Sequence, residues 1–186
     1  MRTLIYLAAL TAASAQDKTI DVEHSTITVH VGKTGVFSGA GHEHWVNAPL
    51  SAGTLNDSDS LHIEFKVDAA KMEVKPDPKI DAATQARIQR DMQEMTLESR
   101  KYPQITFRSS RVEKQANGLW EVEGMLTLHG VTNPVVATVR RTGETYVTKV
   151  NIKQTDFRIK PVSVAGGLVK VKNEVELDLR IRATPK

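Results

Sequence analysis

The sequence predicts an all-β protein with one helix, in which an antiparallel sheet closes on itself. Three features of the 186 residues lead to this prediction. Apolar and polar residues alternate along several segments, as in strands with one buried face. Turn sequences such as Asn117-Gly118 and Thr142-Gly143 separate these segments, and one stretch alone follows the helical period. Closure removes exposed edges, and about eight strands leave an interior for side chains or one small ligand. A two-sheet sandwich is the alternative that alternation leaves open.

The first 15 residues have the composition of a secretory signal peptide. Arg2 supplies a positive charge, residues 3–12 are a short apolar run, and Ala13-Ser14-Ala15 is a small-residue cleavage pattern. The run is about half of the ~20 residues that span a bilayer. We therefore expect cleavage after Ala15, one domain over residues 16–186, and an exported, periplasmic protein without an integral membrane segment.

Composition excludes several functional classes. The absence of cysteine excludes disulfides, thiolate metal sites and a cysteine nucleophile. The formal net charge is only +3, and no long basic run indicates nucleic-acid binding. His24-Ser25 could suggest a nucleophile with its base, but adjacent strand residues point to opposite faces. We therefore expect no catalytic residues.

Alternation predicts the strands individually. They cover residues 25–31, 61–67, 105–109, 120–128, 146–152 and 174–182. The last has the cleanest pattern, with Val175, Leu177 and Ile181 on one face and charged residues on the other. The apolar residues that face inward form either a packed core or the wall of a ligand site. The residues predicted for that wall are Val29, Val31, Phe37, Trp45, Ile63, Phe65, Phe107, Leu126, Val150, Leu177 and Leu179.

One segment, residues 79–99, has the helical period instead. Ile88, Met92 and Met95 are spaced i, i+4 and i+7, which predicts one apolar stripe along an amphipathic helix. Asp81 precedes this stripe and is the expected N-cap. The stripe is interpreted as a packing face.

The densest polar feature contains His42, Glu43 and His44. In a strand, both imidazoles project to one face and Glu43 to the other. Two imidazoles could bind Zn²⁺, Cu²⁺ or Ni²⁺ if His24, His30 or a carboxylate supplied a third ligand. Otherwise the pair is structural, or it forms the polar end of a pocket, where protonated histidine could meet an acidic head group.

Two long motifs indicate a family. RKYPQITFRSSRV covers residues 100–112 and VEGMLTLHGVTNPV covers residues 122–135. Together with the Asp21-Val22-Glu23-His24-Ser25 opening, they resemble the YceI-like family of bacterial exported proteins. The resemblance extends over residues 21–183. The aromatic run that the family has after its Arg-Asp pair is missing here, so the chain resembles a divergent branch.

The resemblance implies an all-β fold with one or two short helices, namely an extended, eight-stranded, lipocalin-like antiparallel barrel. It also implies non-catalytic binding, transport or sequestration of a polyisoprenoid or other long-chain lipid. The protein is expected to be a monomer or dimer. No nucleic acid and no cofactor are expected, apart from the bound lipid. A metal-binding barrel that uses His42 and His44, and an enzyme acting on a bound lipid, are the alternatives.

Overall fold

The computed structural model describes residues 17–35, 42–56, 62–164, 166 and 168–185. The predicted signal peptide, residues 1–15, lies outside the described residues, and so does Phe37. None of the helices in the described ranges is long and apolar enough to cross a membrane.

Strands dominate the described part of the chain. Their bounds are β1 (Asp17–Ile20), β2 (Thr26–Val31), β3 (Lys33–Thr34), β4 (His44–Asn47), β5 (Leu50–Asn56), β6 (His62–Asp68), β7 (Glu73–Val74), β8 (Gln104–Lys114), β9 (Trp120–Leu128), β10 (Val131–Thr142), β11 (Thr145–Lys153), β12 (Ser163–Val164), β13 (Val169–Val171) and β14 (Glu174–Pro185). Three of them, β3, β12 and β13, form a small separate sheet.

The other strands close into a barrel. β1 and β2 pair with the same edge of β14 and act as one interrupted strand. β4 and β5 form the next interrupted strand, which pairs with β2 and β1, and β6 and β7 form the one after it, which pairs with β5 and β4. The order around the barrel is then β1/β2, β4/β5, β6/β7, β8, β9, β10, β11 and β14. Since the other edge of β14 pairs with β11, the ring closes. The structure therefore confirms the eight-stranded antiparallel barrel and excludes the sandwich.

The two ends of the barrel differ. At one end, which we call the hairpin end, tight turns at Asn117-Gly118 and Gly143-Glu144 join neighbouring strands. The helix α1 (Ala82–Asp91) and the His129-Gly130 turn lie at the other end, which we call the helix end. His129 and Gly130 both have positive φ, 52° and 72°, as a tight hairpin turn requires.

The helix begins as predicted and ends differently. The Asp81 carboxylate accepts a hydrogen bond from the Thr84 N–H at 2.9 Å, which confirms the N-cap. After Asp91, residues Met92–Thr96 form a π-helical turn, in which the Leu97 N–H donates to the Met92 carbonyl. The wider turn shifts the register by one residue. The prediction that Met95 joins the apolar stripe was therefore wrong: its side chain is 75% exposed, whereas Leu97 is 8% exposed.

Two glutamines fasten the helical segment to the strand formed by β6 and β7. Gln89 accepts a hydrogen bond from the Val74 N–H at 2.8 Å and donates to the Met72 carbonyl at 2.9 Å. Gln93 donates to the carbonyls of Ala69 and Met72. The segment is thus held against the helix end by directional bonds as well as by apolar contact.

Candidate ligand-binding cavity

The helix half of the barrel encloses a cavity of about 740 Å³. This volume lies within the range of about 300–1,000 Å³ that is usual for small-molecule sites. The wall is mostly aliphatic, because each strand turns alternate residues inward. β2 and β14 each contribute three residues to it: Ile27, Val29 and Val31, and Val175, Leu177 and Leu179.

Most of the predicted wall residues reach this cavity. Of the ten that lie in the described part of the chain, six line it: Val29, Val31, Phe65, Leu126, Leu177 and Leu179. Ile105, Leu128 and Ile152 also line it. The alternation of their strands indicated an inward position for these three, although the predicted wall did not include them.

The hairpin half of the barrel is a packed core instead. Its buried apolar side chains belong to one cluster and do not line the cavity: Ile20, Leu55, Ile63, Phe107, Val122, Val139, Tyr146, Ile181 and Ala183. Two predicted wall residues, Ile63 and Phe107, are therefore core residues. Along β6, Ile63 lies two residues nearer the hairpin end than Phe65, and along β8, Phe107 lies two residues nearer that end than Ile105; Phe65 and Ile105 do line the cavity.

Two stacked aromatic rings separate the two halves. The Phe65 and Phe107 rings have centroids 5.3 Å apart with an interplanar angle of 26°. Phe65 lines the inner end of the cavity, which we call its floor, whereas Phe107, its partner across β6 and β8, does not line the cavity. Gly124 leaves room for Phe107, because a Cβ at that position would overlap the ring. Val150 packs against the core without lining the cavity.

Trp45 lies on the outer face, so its predicted place on the inner wall was wrong. Its side chain is 45% exposed, and its ring stacks on that of His30 with centroids 4.9 Å apart. The same alternation that turns His44 and Val46 inward turns Trp45 outward.

Both histidines of the predicted polar site line the cavity. His42 Nδ1 lies 3.4 Å from Asp77 Oδ2. Burial, and next the charge of His42, lower the pKa of His44, so that His44 is neutral at pH 7. Glu43 points to the outer face, as expected, where its carboxylate lies 3.1 Å from His30 Nε2.

In the part of the chain that the structure describes, no third metal ligand joins this pair. His24 is bonded to Asp21, with Nδ1 2.8 Å from Oδ2, and His30 faces outward. Within the described ranges, no group of three or more His, Asp or Glu side chains is placed to hold a metal ion. Ser25 accepts a hydrogen bond from the Arg182 N–H at 2.9 Å, so His24 and Ser25 have separate partners.

The remaining walls come from elements that the sequence did not assign to the site. The helical segment contributes Arg87, Ile88, Asp91, Met92, Thr96 and Leu97. The small sheet contributes Lys33, Val169, Lys170 and Val171 from β3 and β13. For the helix, the apolar stripe of residues 79–99 was the only feature of the sequence that indicated a place in the cavity wall. The strands of the small sheet have only two or three residues each, too few to give a recognisable pattern.

Comparison with known proteins agrees with this architecture. A family model described as YceI-like domain matches residues 19–183. A UPF0312 protein of Shewanella baltica is 31% identical over 190 residues, which cover 97% of this chain and 93% of the relative.

Solved structures share the fold. BcnA of Burkholderia cenocepacia has a TM-score of 0.64 at 18% identity, with 89% of this chain and 99% of that chain covered. A polyisoprenoid-binding domain of Saccharophagus degradans has a TM-score of 0.61 at 14% identity, with 93% and 100% covered.

Proposed function

The chain belongs to the YceI-like family, and from that membership we propose that it binds a polyisoprenoid-type or other long-chain amphiphilic lipid in the cavity at its helix end. The observation that carries this proposal is the division of the barrel. One half is filled by side chains, whereas the other surrounds about 740 Å³ with an aliphatic wall.

The physical basis is the transfer of apolar surface out of water. Each Å² of ligand and wall that is removed from water contributes roughly 25 cal/mol. An aliphatic wall can accept a hydrocarbon chain without leaving buried polar groups unpaired. The stacked rings of Phe65 and Phe107 would stop the chain at the middle of the barrel. The Saccharophagus degradans domain that shares the fold is described as polyisoprenoid binding, which supports the same ligand class.

The role we propose is transport or sequestration without catalysis and without a cofactor. Such a protein needs only to shield the ligand from water, which the wall can do. We also propose that residues 1–15 direct export and are removed after Ala15, so that the protein acts in the periplasm. The charge of Arg2, the apolar run and the small residues that follow support this part of the proposal.

Mass spectrometry of the gently purified protein, before and after extraction with organic solvent, tests the proposal. We expect one long-chain organic molecule per protein, lost on extraction and regained when a long-chain amphiphile is added. A bare protein that takes up no such amphiphile would contradict it. One transition-metal ion per chain, lost in the double variant His42→Ala with His44→Ala, would favour the metal-binding alternative.

A further inference from the structure

The charged residues of the cavity wall are mostly basic. Within the described residues, Lys33, Arg87 and Lys170 line the cavity, against a single carboxylate, Asp91. His42 lines it as well. The wall therefore has an excess of positive charge, although the rest of it is aliphatic.

These cations belong to elements at the helix end. Lys33 and Lys170 lie on the paired strands β3 and β13, where Lys33 is opposite Val171 and Lys170 is opposite Thr34. Arg87 is on α1, one turn before Asp91. The aromatic floor at Phe65 lies at the inner end of the cavity. The cavity thus has an apolar inner part and a basic outer part.

Some cations on the outer sheet have carboxylate partners, whereas two cations on the cavity wall, Arg87 and Lys170, have none among the described residues. On the outer sheet, Lys149 lies 2.7 Å from Glu176, and Arg111 lies 3.1 Å from Glu123. Within the described residues, neither Arg87 nor Lys170 has a carboxylate within 4.0 Å, even though Asp91 is one turn from Arg87. Among the described side chains, these two cations therefore have no carboxylate as counter-ion.

From this arrangement we propose that the cavity selects acidic amphiphiles, whose phosphate or carboxylate head group is held at the helix end by Arg87 and Lys170 while the chain extends to Phe65. The proposal rests on the proposed function and adds the charge of the ligand. A guanidinium can bind the oxygens of such a head group in pairs, and a lysine adds a point charge. Attraction is stronger next to an aliphatic wall than in bulk water.

Four hexadecyl probes test this selectivity, each used below its critical micelle concentration: the phosphate, the carboxylate, the alcohol and the amine. Displacement of a neutral fluorescent polyene gives the affinities. We expect the two acids to bind about tenfold or more tightly than the alcohol, a difference of about 1.4 kcal/mol, and the amine to bind weakest. Added salt should weaken binding of the acids and leave the alcohol unchanged.

Charge-reversal variants locate the effect. Arg87→Glu and Lys170→Glu should remove the preference for acids and improve binding of the amine. Arg90→Glu on α1 and Lys172→Glu after β13 are matched controls, since neither residue lines the cavity; both should retain the preference of the wild-type protein. If a reversal variant fails to fold, Arg87→Gln and Lys170→Gln still test the loss of the preference.

The outcomes separate this proposal from the proposed function. Equal affinity for the acids, the alcohol and the amine would overturn the charge selectivity and leave lipid binding intact. Failure of all four probes to bind would contradict lipid binding itself. Inorganic phosphate that competes as well as hexadecyl phosphate would identify a phosphate site and overturn the assignment of a lipid head group.

Discussion

Replacing Leu126 with tryptophan should block the cavity and leave the barrel folded. Leu126 lines the cavity and is 7% exposed, so the larger ring can extend into about 740 Å³ of space. Leu55 offers a matched control in the packed half, where it is 1% exposed and does not line the cavity. The same change, leucine to tryptophan, is thus made once at the open cavity and once in the filled core.

The expected magnitudes differ for the two variants. Overpacking a filled core costs about 1–3 kcal/mol. For a domain of this size, each kcal/mol lowers Tm by roughly 2–4 °C, so Leu55→Trp should lower Tm by roughly 2–12 °C. Leu126→Trp should change Tm by less than about 2 °C, while its affinity for a long-chain amphiphile falls about tenfold or more, equivalent to about 1.4 kcal/mol.

Thermal unfolding without ligand and titration with a fluorescent long-chain amphiphile give the two quantities. Equal destabilisation by both substitutions would show that the space around Leu126 is filled like that around Leu55. A stable Leu126→Trp protein with wild-type affinity would show that the ligand binds elsewhere. Either result would refute the division of the barrel into a packed half and a binding half.

Other consequences concern the floor, the histidines and the helix. Gly124→Ala should lower the free energy of unfolding by about 1–3 kcal/mol in urea titrations, because the new Cβ overlaps the Phe107 ring; unchanged stability would contradict this close approach. Since the pKa of His44 is lowered in the folded protein, the unfolded chain binds more protons between that pKa and about 6.5. The free energy of unfolding should therefore fall as pH decreases through this window, and it should fall less steeply in the His44→Gln variant. Urea titrations measure this free energy at each pH, and parallel pH profiles for the two proteins would exclude the effect. Gln89→Leu removes two hydrogen bonds that hold α1 against the barrel. Amide hydrogen exchange in α1 and dissociation of the ligand should therefore both become faster, and an unchanged dissociation rate would mean that α1 does not control ligand release.

The strands were predictable because the two faces of a sheet differ in their surroundings. Leu177 and Leu179 alternate with charged residues along β14, and both line the cavity. Trp45 lies outside although it is apolar, because it stands between two inward residues, His44 and Val46. Consistent alternation would have placed it outside.

Other features depend on information that no local pattern contains. Phe65 and Phe107 have the same inward pattern and pair directly across β6 and β8. Phe65 lines the cavity, whereas the Phe107 ring lies against Gly124, one inward position nearer the hairpin end than Leu126. One π-helical turn exposes Met95, which was expected on the apolar stripe, and Leu97 is buried instead. Lys170 reaches the cavity from a three-residue strand whose pairing joins distant parts of the chain.

The central claim is that a lipid chain lies in the helix half, with its end at Phe65. Both natural tryptophans are outside the cavity wall, so Phe65→Trp would place a fluorophore at the floor. Quenching of this variant by fatty acids brominated at known carbons tests the claim most directly. Bromine near the terminal methyl should quench the fluorescence at position 65 strongly, bromine beside the carboxylate should quench it weakly, and the wild-type protein should change little. Saturated binding without quenching, or equal quenching by both fatty acids, would contradict the claim.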